Sequence, residues 1–246
     1  FQPFLYQVAT AGLDSDDVCF PVRGTLRRQR NARFVLGRVS AFDLDQRCVT
    51  LADGRQLPYD YLVIAAGSVS TTFGIPGAEE NSFPLKNLDD AMALRSHLLG
   101  LYERASAGEP VDLGVAIVGG GPTGIETAGG LRELVDHVLR KDFPELDLAR
   151  VPITLVEADE RVLNRFHPAL SSAAADALTR RNVEVVVGVG VERVEHGRVL
   201  LRDGRVIVAG TAIWAAGVTG SPLAAALGVP LARGGRIPVT GDLSLA

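Results

Sequence analysis

The sequence predicts an α/β fold in which two domains are built on one plan. Three observations support this prediction. Short apolar strands alternate with amphipathic helices, as in a doubly wound parallel sheet. The glycine-rich segment 119–124 joins an apolar strand to a helix. Finally, a twenty-residue segment occurs twice, as VTLADGRQLPYDYLVIAAGS (49–68) and as VLLRDGRVIVAGTAIWAAGV (199–218). The offset of 150 residues between the copies indicates a duplicated domain.

The first strands are predicted from about Phe34 onward. FVLGRVSAF (34–42), CVTLA (48–52) and YLVIAAG (61–67) are short apolar stretches, and Asp53-Gly54 is a good signal for a two-residue hairpin. We therefore expect an antiparallel meander that leads into a strand over 61–67. A helix follows, because Asn87 is a good N-cap and the apolar residues after it recur at helical spacing.

The second half predicts a parallel α/β unit. Its predicted strands are VAIVGG (115–120), ITLVE (153–157), VEVVVG (183–188) and AIWAAG (212–217). Helices are expected from about Pro122 and near 169–181, where apolar residues form a stripe. Before the last strand, Asp203-Gly204 repeats the hairpin signal of the first half.

The repeat connects this fold to ligand binding. In both copies a hairpin leads into an apolar strand that ends in Ala-Ala-Gly. Open α/β sheets bind ligands at the carboxyl ends of their strands, and small residues there allow a ligand to approach the backbone. The two copies therefore predict two dinucleotide-binding domains. The same offset places the glycine loop of the first domain before Phe1, so we expect the sequence to be the interior of a longer chain.

The glycine motif carries the chemistry of the second copy. Gly119-Gly120-Gly121-Pro122-Thr123-Gly124 fits G-x-G-x-x-G directly after a strand and at the start of a helix, which is the context that confirms the motif. The first glycine allows the tight turn, the second makes room for a pyrophosphate and the third allows close packing of helix on strand. Pro122 suits the first helical turn, since it has no N–H. The phosphates would then meet free N–H groups and the positive end of the helix dipole.

Two carboxylates accompany this loop. Glu157 ends the next strand, where an acidic residue would hold the ribose hydroxyls and disfavour a 2′-phosphate, so NADH is expected rather than NADPH. Arg161 keeps NADPH open as an alternative. Glu126 lies in the first turn of the helix. Its position fits stabilisation of the helix dipole and fits equally a place at the reactive end of the site.

Composition excludes several other classes of function. The 246 residues carry a net charge of −4, which gives no electrostatic basis for nucleic-acid binding. No apolar run approaches the ~20 residues needed to span a bilayer. Cys19 and Cys48 form no CxxC pair, so a dithiol redox centre is not expected. No metal site is expected either, because the four histidines are scattered without ligand spacing; they are His97, His137, His167 and His196.

Four segments carry a resemblance to a known family. They are FQPFLYQVATAGL (1–13), GGGPTGIETAG (119–129), LVEADERVL (155–163) and WAAGVTGSPLAAALG (214–228). With them the chain resembles the two-dinucleotide-domain flavoproteins of the glutathione-reductase type, and within these the type II NADH dehydrogenases, which are single-subunit NADH:quinone oxidoreductases. The similarity extends over nearly the whole chain.

The resemblance implies that the first domain binds FAD and the second NADH. A hydride would pass from NADH to the flavin, and two electrons would then reduce a quinone. Glu126 would lie close to the contact between nicotinamide and flavin, and would assist quinone reduction. The further residues implied to face a cofactor are Pro3, Tyr6, Val39, Ala65, Ala66, Gly67 and Ser68 for FAD, and Ala216 and Gly217 for NADH.

The resemblance also implies domain boundaries and a cellular setting. Residues 1–86 would be part of the FAD-binding domain, 87–220 the NADH-binding domain and 221–246 a return segment toward the first. The intact enzyme is expected to be a homodimer on the cytoplasmic face of the cell membrane, bound through segments outside this sequence. Two alternatives stay open, namely a flavoprotein reductase with a ferredoxin- or rubredoxin-type acceptor, and a non-catalytic NAD-binding fragment.

Overall fold

A computed structural model describes residues 1–245 of the chain. The chain divides into two compact units. The first contains Phe1–Cys19 and Ser70–Gly217, and the second contains Phe20–Val69 and Val218 to the C-terminal end. These boundaries differ from the predicted change of domain between residues 86 and 87. The assignment of domains to FAD and to NADH stays a prediction.

Thirteen strands occur in the part of the chain that the structure describes. In order they are β1 (Val39–Asp43), β2 (Cys48–Leu51), β3 (Gln56–Pro58), β4 (Ser68–Ser70), β5 (Phe83–Pro84), β6 (Val115–Val118), β7 (Ile153–Val156), β8 (Val183–Val186), β9 (Val191–Glu195), β10 (Arg198–Leu201), β11 (Val206–Val208), β12 (Thr211–Trp214) and β13 (Val218–Gly220).

The helices include three long ones, α5, α6 and α8. The set comprises α1 (Leu5–Ala9), α2 (Ser15–Val18), α3 (Val22–Leu26), α4 (Ala78–Asn81), α5 (Leu88–Ser106), α6 (Pro122–Leu134), α7 (Arg140–Asp142) and α8 (Pro168–Thr179), with a π-helical turn at Val135–Leu139 and 3₁₀ turns at Gln2–Phe4, Leu148–Arg150 and Pro222–Leu227. None of the helices within residues 1–245 combines the length and the apolarity that crossing a bilayer requires.

The first unit contains a five-stranded parallel sheet in the order β5-β12-β6-β7-β8. Ile117, Leu155 and Ile213 on one face of this sheet are buried beneath α1, α5, α6 and α8. On the other face, Val118 and Trp214 pack against the antiparallel meander β9–β11. The prediction of a Rossmann-like parallel unit with a meander is therefore confirmed.

The predicted starts of α5 and α6 are also confirmed. Asn87 caps α5, since its side-chain oxygen accepts the N–H of Asp90 at 2.9 Å while the Asp90 carboxylate accepts the N–H of Asn87 at 3.1 Å. This reciprocal capping box satisfies two N–H groups that have no partner inside the helix. Pro122 begins α6 after Gly121.

The second unit contains the meander β1–β3. The prediction of a strand over 61–67 is wrong, because this segment has no regular structure between β3 and β4. Tyr61 and Val63 are 95% and 87% exposed. A strand requires a hydrogen-bonded neighbour, and among the described residues this segment has none.

Candidate functional site

The glycine loop lies at the carboxyl end of the parallel sheet. Backbone hydrogen bonds continue the sheet into the loop, since Gly119 N–H donates to the Val156 carbonyl and Ala215 N–H donates to the Val118 carbonyl, both at 2.8 Å. The loop therefore lies between the ends of β7 and β12. This is the place where an open α/β sheet binds a dinucleotide.

Three glycines of the loop are closely packed. Gly119 has φ +113°, and a Cβ on it would lie 2.6 Å from the backbone of Ala215. A Cβ on Gly124 would lie 1.8 Å from the Gly119 carbonyl oxygen, and one on Gly120 would lie 2.9 Å from Val162 Cγ1. The turn and the close packing of α6 on β6 therefore require these glycines. The crowding at Gly120 was not predicted, and the run of three glycines was its signal.

Gly121 differs from these three glycines. Its φ is −75°, and a Cβ built on it would have no neighbour within 4 Å. The packing of the protein therefore does not require glycine at this position. The open space lies at the start of α6, where no side chain caps the helix. The first N–H groups of a helix point toward such a space and favour an anion.

The Glu157 carboxylate is hydrogen-bonded to the backbone of the glycine loop. Its Oε2 accepts the N–H of Gly120 at 2.6 Å, and its Oε1 accepts the N–H of Asp159 at 2.9 Å. Each carboxylate oxygen can accept a second hydrogen bond. The side chain is thus held in one orientation and still has free acceptor positions. This arrangement fits a group that orients ribose hydroxyls, and the sequence did not predict its support of the loop.

Arg161, the residue that left NADPH open as an alternative cofactor, forms its hydrogen bonds within its own loop. Its guanidinium donates to the carbonyls of Asn164 at 2.5 Å and of Phe166 at 3.0 Å. The Asn164 side chain in turn donates to the Asp159 carboxylate. Arg161 therefore closes the loop 159–166, and the structure gives it a local structural role.

A cavity of about 640 Å³ adjoins the loop and Glu157. Its volume lies within the range of small-molecule sites. The lining includes the predicted Gly119, Glu157 and Ala216. It also includes residues that the sequence analysis did not predict to face a ligand: Phe73, Ile75, Val118, Val156, Ala158, Gly188, Val189, Gly190, Val191, Arg202, Asp203 and Trp214. Half of these come from the meander and from the segment before it, where no local motif indicates a ligand contact.

Phe73 forms one wall of this cavity. The segment that carries it is fixed to the end of β12, because Trp214 Nε1 donates to the Thr71 carbonyl at 2.8 Å and Thr71 N–H donates to the Gly217 carbonyl at 3.2 Å. A Cβ on Gly217 would lie 2.3 Å from the Phe73 ring. Gly217 therefore makes room for an aromatic side chain of the same unit.

Glu126 lies on α6, one turn from the glycine loop. It is exposed, and within residues 1–245 its carboxyl makes no hydrogen bond and no ion pair. Partial desolvation raises the pKa of this carboxyl above its ordinary value. The structure thus provides an uncommitted carboxyl near the start of α6 that binds a proton more readily than an ordinary glutamic acid.

The residues predicted to face FAD fall in different parts of the chain. Pro3 and Tyr6 belong to the first unit, whereas Val39 and Ala65–Gly67 belong to the second. Gly67 has φ +67°, and a Cβ on it would meet nothing within 4 Å. Neither unit by itself contains the complete set, so the FAD residues stay a prediction. No group of three or more His, Cys, Asp or Glu side chains suited to a metal occurs in residues 1–245.

Comparisons with known proteins agree with this geometry. The sequence pattern of the family described as pyridine nucleotide-disulphide oxidoreductase matches residues 1–245. The chain is 35% identical over 261 residues to a type II NADH:quinone oxidoreductase of Mycobacterium tuberculosis, and the match covers 100% of this chain and 56% of that relative.

Solved structures show the same fold. NDH2 from Plasmodium falciparum in complex with NADH superposes with a TM-score of 0.81 at 22% identity, over 91% of this chain and 49% of that one. A ferredoxin reductase from Rhodopseudomonas palustris superposes with a TM-score of 0.75 at 22% identity, over 94% of this chain and 53% of that one.

The chain belongs to the pyridine nucleotide-disulphide oxidoreductase family. The predicted resemblance to type II NADH dehydrogenases is confirmed, since two relatives from Mycobacterium tuberculosis carry that name at 35% and 36% identity. The chain spans about half the length of the curated relatives it matches.

Proposed function

We propose that this chain is the NADH-binding part, together with a portion of the FAD-binding part, of a type II NADH:quinone oxidoreductase. One observation carries the proposal, namely the glycine loop that opens α6 beside the Glu157 carboxylate and the cavity of about 640 Å³. The names of the relatives supply the electron acceptor. Domain boundaries at residues 86 and 220 are part of the same proposal.

The loop residues would bind the NADH pyrophosphate. Gly121 leaves open space at the uncapped start of α6, so the phosphates can approach the N–H groups of Thr123 and Gly124. Pro122 contributes no N–H and fixes the backbone at the first helical position. Ala216 and Gly217 would face the same dinucleotide from the end of β12.

Glu157 would bind the adenosine ribose. Its two hydrogen bonds to backbone N–H groups fix the carboxylate, and its free acceptor positions suit two hydroxyl donors. A 2′-phosphate would bring a second negative charge close to this carboxylate, which is unfavourable. Glu157 therefore favours NADH over NADPH.

Glu126 is the residue that we propose for proton handling. Its carboxyl has no partner among residues 1–245, and partial desolvation raises its pKa above the ordinary value, so it binds a proton more readily than an ordinary glutamic acid. Reduction of a quinone by two electrons requires two protons, so a carboxyl near the nicotinamide end would be placed to hold one. The residue is thus proposed as catalytic in the intact enzyme.

FAD, when bound, would supply the two-electron redox chemistry that links NADH to the quinone. The residues proposed to bind it come from the family resemblance and are Pro3, Tyr6, Val39, Ala65, Ala66, Gly67 and Ser68. We also propose, from the same resemblance, that the intact enzyme is a homodimer. Its proposed location is the inner face of the cell membrane.

Binding of NADH to this chain tests the proposal most simply. Gly121→Ala introduces a Cβ without any protein clash, so we expect normal stability and a loss of NADH affinity of tenfold or more. Gly129→Ala is the matched control, since Gly129 lies on the same helix and its Cβ would also meet nothing within 4 Å. NADH fluorescence titration measures both. Equal affinities in the two variants would contradict the proposed phosphate site.

A second experiment, on the intact protein, identifies the electron acceptor. We expect NADH oxidation with a short-chain quinone, and activity with an iron–sulfur protein alone would favour the reductase alternative. For this chain we expect NADH binding with little or no yellow flavin. Stoichiometric FAD in the purified 246-residue chain would show that the FAD part is more complete than proposed.

A further inference from the structure

Arg202 lies on the wall of the same cavity as Glu157. It follows the last residue of β10 and precedes the Asp203-Gly204 turn. Both residues are hydrogen-bonded to the segment Val189-Gly190 through their backbones. Val189 N–H donates to the Glu157 carbonyl at 3.4 Å, and Arg202 N–H donates to the Gly190 carbonyl at 3.0 Å. Arg202 is therefore separated from Glu157 by a short hydrogen-bonded path along the cavity wall.

The side chain of Arg202 lies along the backbone of Gly190. A Cβ on Gly190 would be 3.5 Å from Arg202 Nε and 3.7 Å from Cζ. The guanidinium thus passes over a residue that has no side chain. Gly188, which also lines the cavity, leaves the neighbouring stretch of wall equally open. Arg202 therefore places its positive charge at the cavity wall.

The charge of Arg202 has no partner in the described chain. No hydrogen bond and no ion pair involves its guanidinium within residues 1–245, since the neighbouring Asp203 carboxylate pairs with Arg205 at 2.8 Å. Arg161 donates to loop carbonyls. Arg202 is therefore the arginine at this cavity whose donors are uncommitted.

The repeated segment shows that the hairpin does not require Arg202. The equivalent position in the first copy is Ala52, and there Asp53 and Arg55 form the same ion pair at 2.7 Å. An arginine at this position thus occurs only in the second copy, which lines the cavity. Ligand binding in the cavity therefore explains Arg202 better than hairpin formation does.

We propose that Arg202 is a specificity-determining residue that binds the 2′-phosphate of NADPH. This inference rests on the proposed dinucleotide site. The guanidinium can form two parallel hydrogen bonds to a phosphate, which offsets the repulsion between that phosphate and Glu157. Arg202 thereby gives the site a measurable affinity for NADPH beside its preference for NADH. The mononucleotides 5′-AMP and 2′,5′-ADP isolate this contribution, because they differ only in the 2′-phosphate.

The test is calorimetric titration of the chain with the two nucleotides. Arg202→Ala should weaken binding of 2′,5′-ADP by about fivefold to tenfold and leave binding of 5′-AMP within twofold. Arg205→Ala is the matched control, since Arg205 lies in the same turn and is likewise exposed, and it should change neither affinity. The fivefold to tenfold difference should shrink as salt concentration rises.

The outcomes separate this inference from the proposed function. If 5′-AMP binds and Arg202→Ala leaves the affinity for 2′,5′-ADP unchanged, the role of Arg202 is overturned and the dinucleotide site stands. If Arg202→Ala weakens both nucleotides equally, the residue contacts adenine or shapes the cavity, and the inference is again overturned. If the unaltered chain binds neither nucleotide nor NADH, the proposed function itself fails.

Discussion

The two copies of the repeated segment have the same hairpin and differ in the segment that follows it. In both, the Asp-Gly-Arg turn is closed by an Asp–Arg pair, with Asp53 and Arg55 at 2.7 Å and Asp203 and Arg205 at 2.8 Å. After the second hairpin, β12 is buried between β5 and β6. After the first, residues 61–67 form no strand.

This difference separates local from non-local causes of structure. A hairpin is specified by its turn residues and by the strands beside them, so each copy forms its own. A central parallel strand has no partner close in sequence and depends on strands contributed from elsewhere. The second copy has β5 and β6 beside it. The same Ala-Ala-Gly ending therefore follows a strand of a parallel sheet only in the second copy of the described chain.

The largest expected effect comes from the matched residues Ile213 and Val63. Ile213 is 0% exposed at the centre of the parallel sheet, whereas Val63 is 87% exposed. Ile213→Ala should reduce the free energy of unfolding by about 2–5 kcal/mol. Val63→Ala should leave it nearly unchanged. Urea denaturation of both variants of this chain measures the contrast, and a comparable loss for Val63→Ala would show that the first copy is also packed.

The matched glycines Gly217 and Gly67 should respond in opposite ways. Gly67 has φ +67° and open surroundings, so Gly67→Ala should cost about 1 kcal/mol of stability through backbone strain. Gly217 has no such strain, but its Cβ would displace the exposed ring of Phe73 from the cavity wall. Gly217→Ala should therefore lower NADH affinity severalfold with little change in stability. A loss of stability without loss of affinity would contradict this assignment.

The same division between local and non-local causes separates the features that the sequence predicts from those that it does not. The capping of α5 by Asn87, the start of α6 at Pro122 and the glycine loop were predicted because each has a local signal of one to six residues. The absence of a strand over 61–67 was missed, because the apolar pattern of a strand says nothing about whether partners are present.

The residues that line the cavity show the same limit of prediction from local sequence. Glu157 was predicted from its place at the end of β7, whereas Phe73 and Arg202 reach the site from segments distant in sequence. Their positions depend on the packing of the meander and on the Trp214–Thr71 hydrogen bond. No local pattern encodes such contacts, and so sequence reasoning could not find these residues.

A smaller effect concerns the first residue of β12. Thr211 is buried, and its Oγ1 lies 3.0 Å from Nε2 of His97, whereas the matching Tyr61 is exposed. Burial lowers the pKa of His97. The unfolded chain therefore binds a proton more readily than the folded one, and stability should fall as pH decreases below about 6.5. His97→Gln should remove this part of the pH dependence in denaturation curves between pH 7 and 5, and an unchanged slope would contradict the assignment.

The smallest effects are expected where the copies agree. Asp53→Asn and Asp203→Asn each remove one exposed ion pair with a neighbouring arginine. Such pairs contribute little and are screened by salt. Both variants should show small and equal changes in the urea midpoint, which vanish at high salt. A much larger loss for one copy would show that its hairpin depends on tertiary contacts.

Hydrogen exchange with and without NADH tests the central claim most directly, because it reports on both copies in one experiment. If the second copy alone forms a dinucleotide site in this chain, NADH should protect the amides of the glycine loop 119–124 and of 215–217, and should leave those of 65–68 unchanged. Protection of 65–68, or its absence at 119–124, would contradict the account.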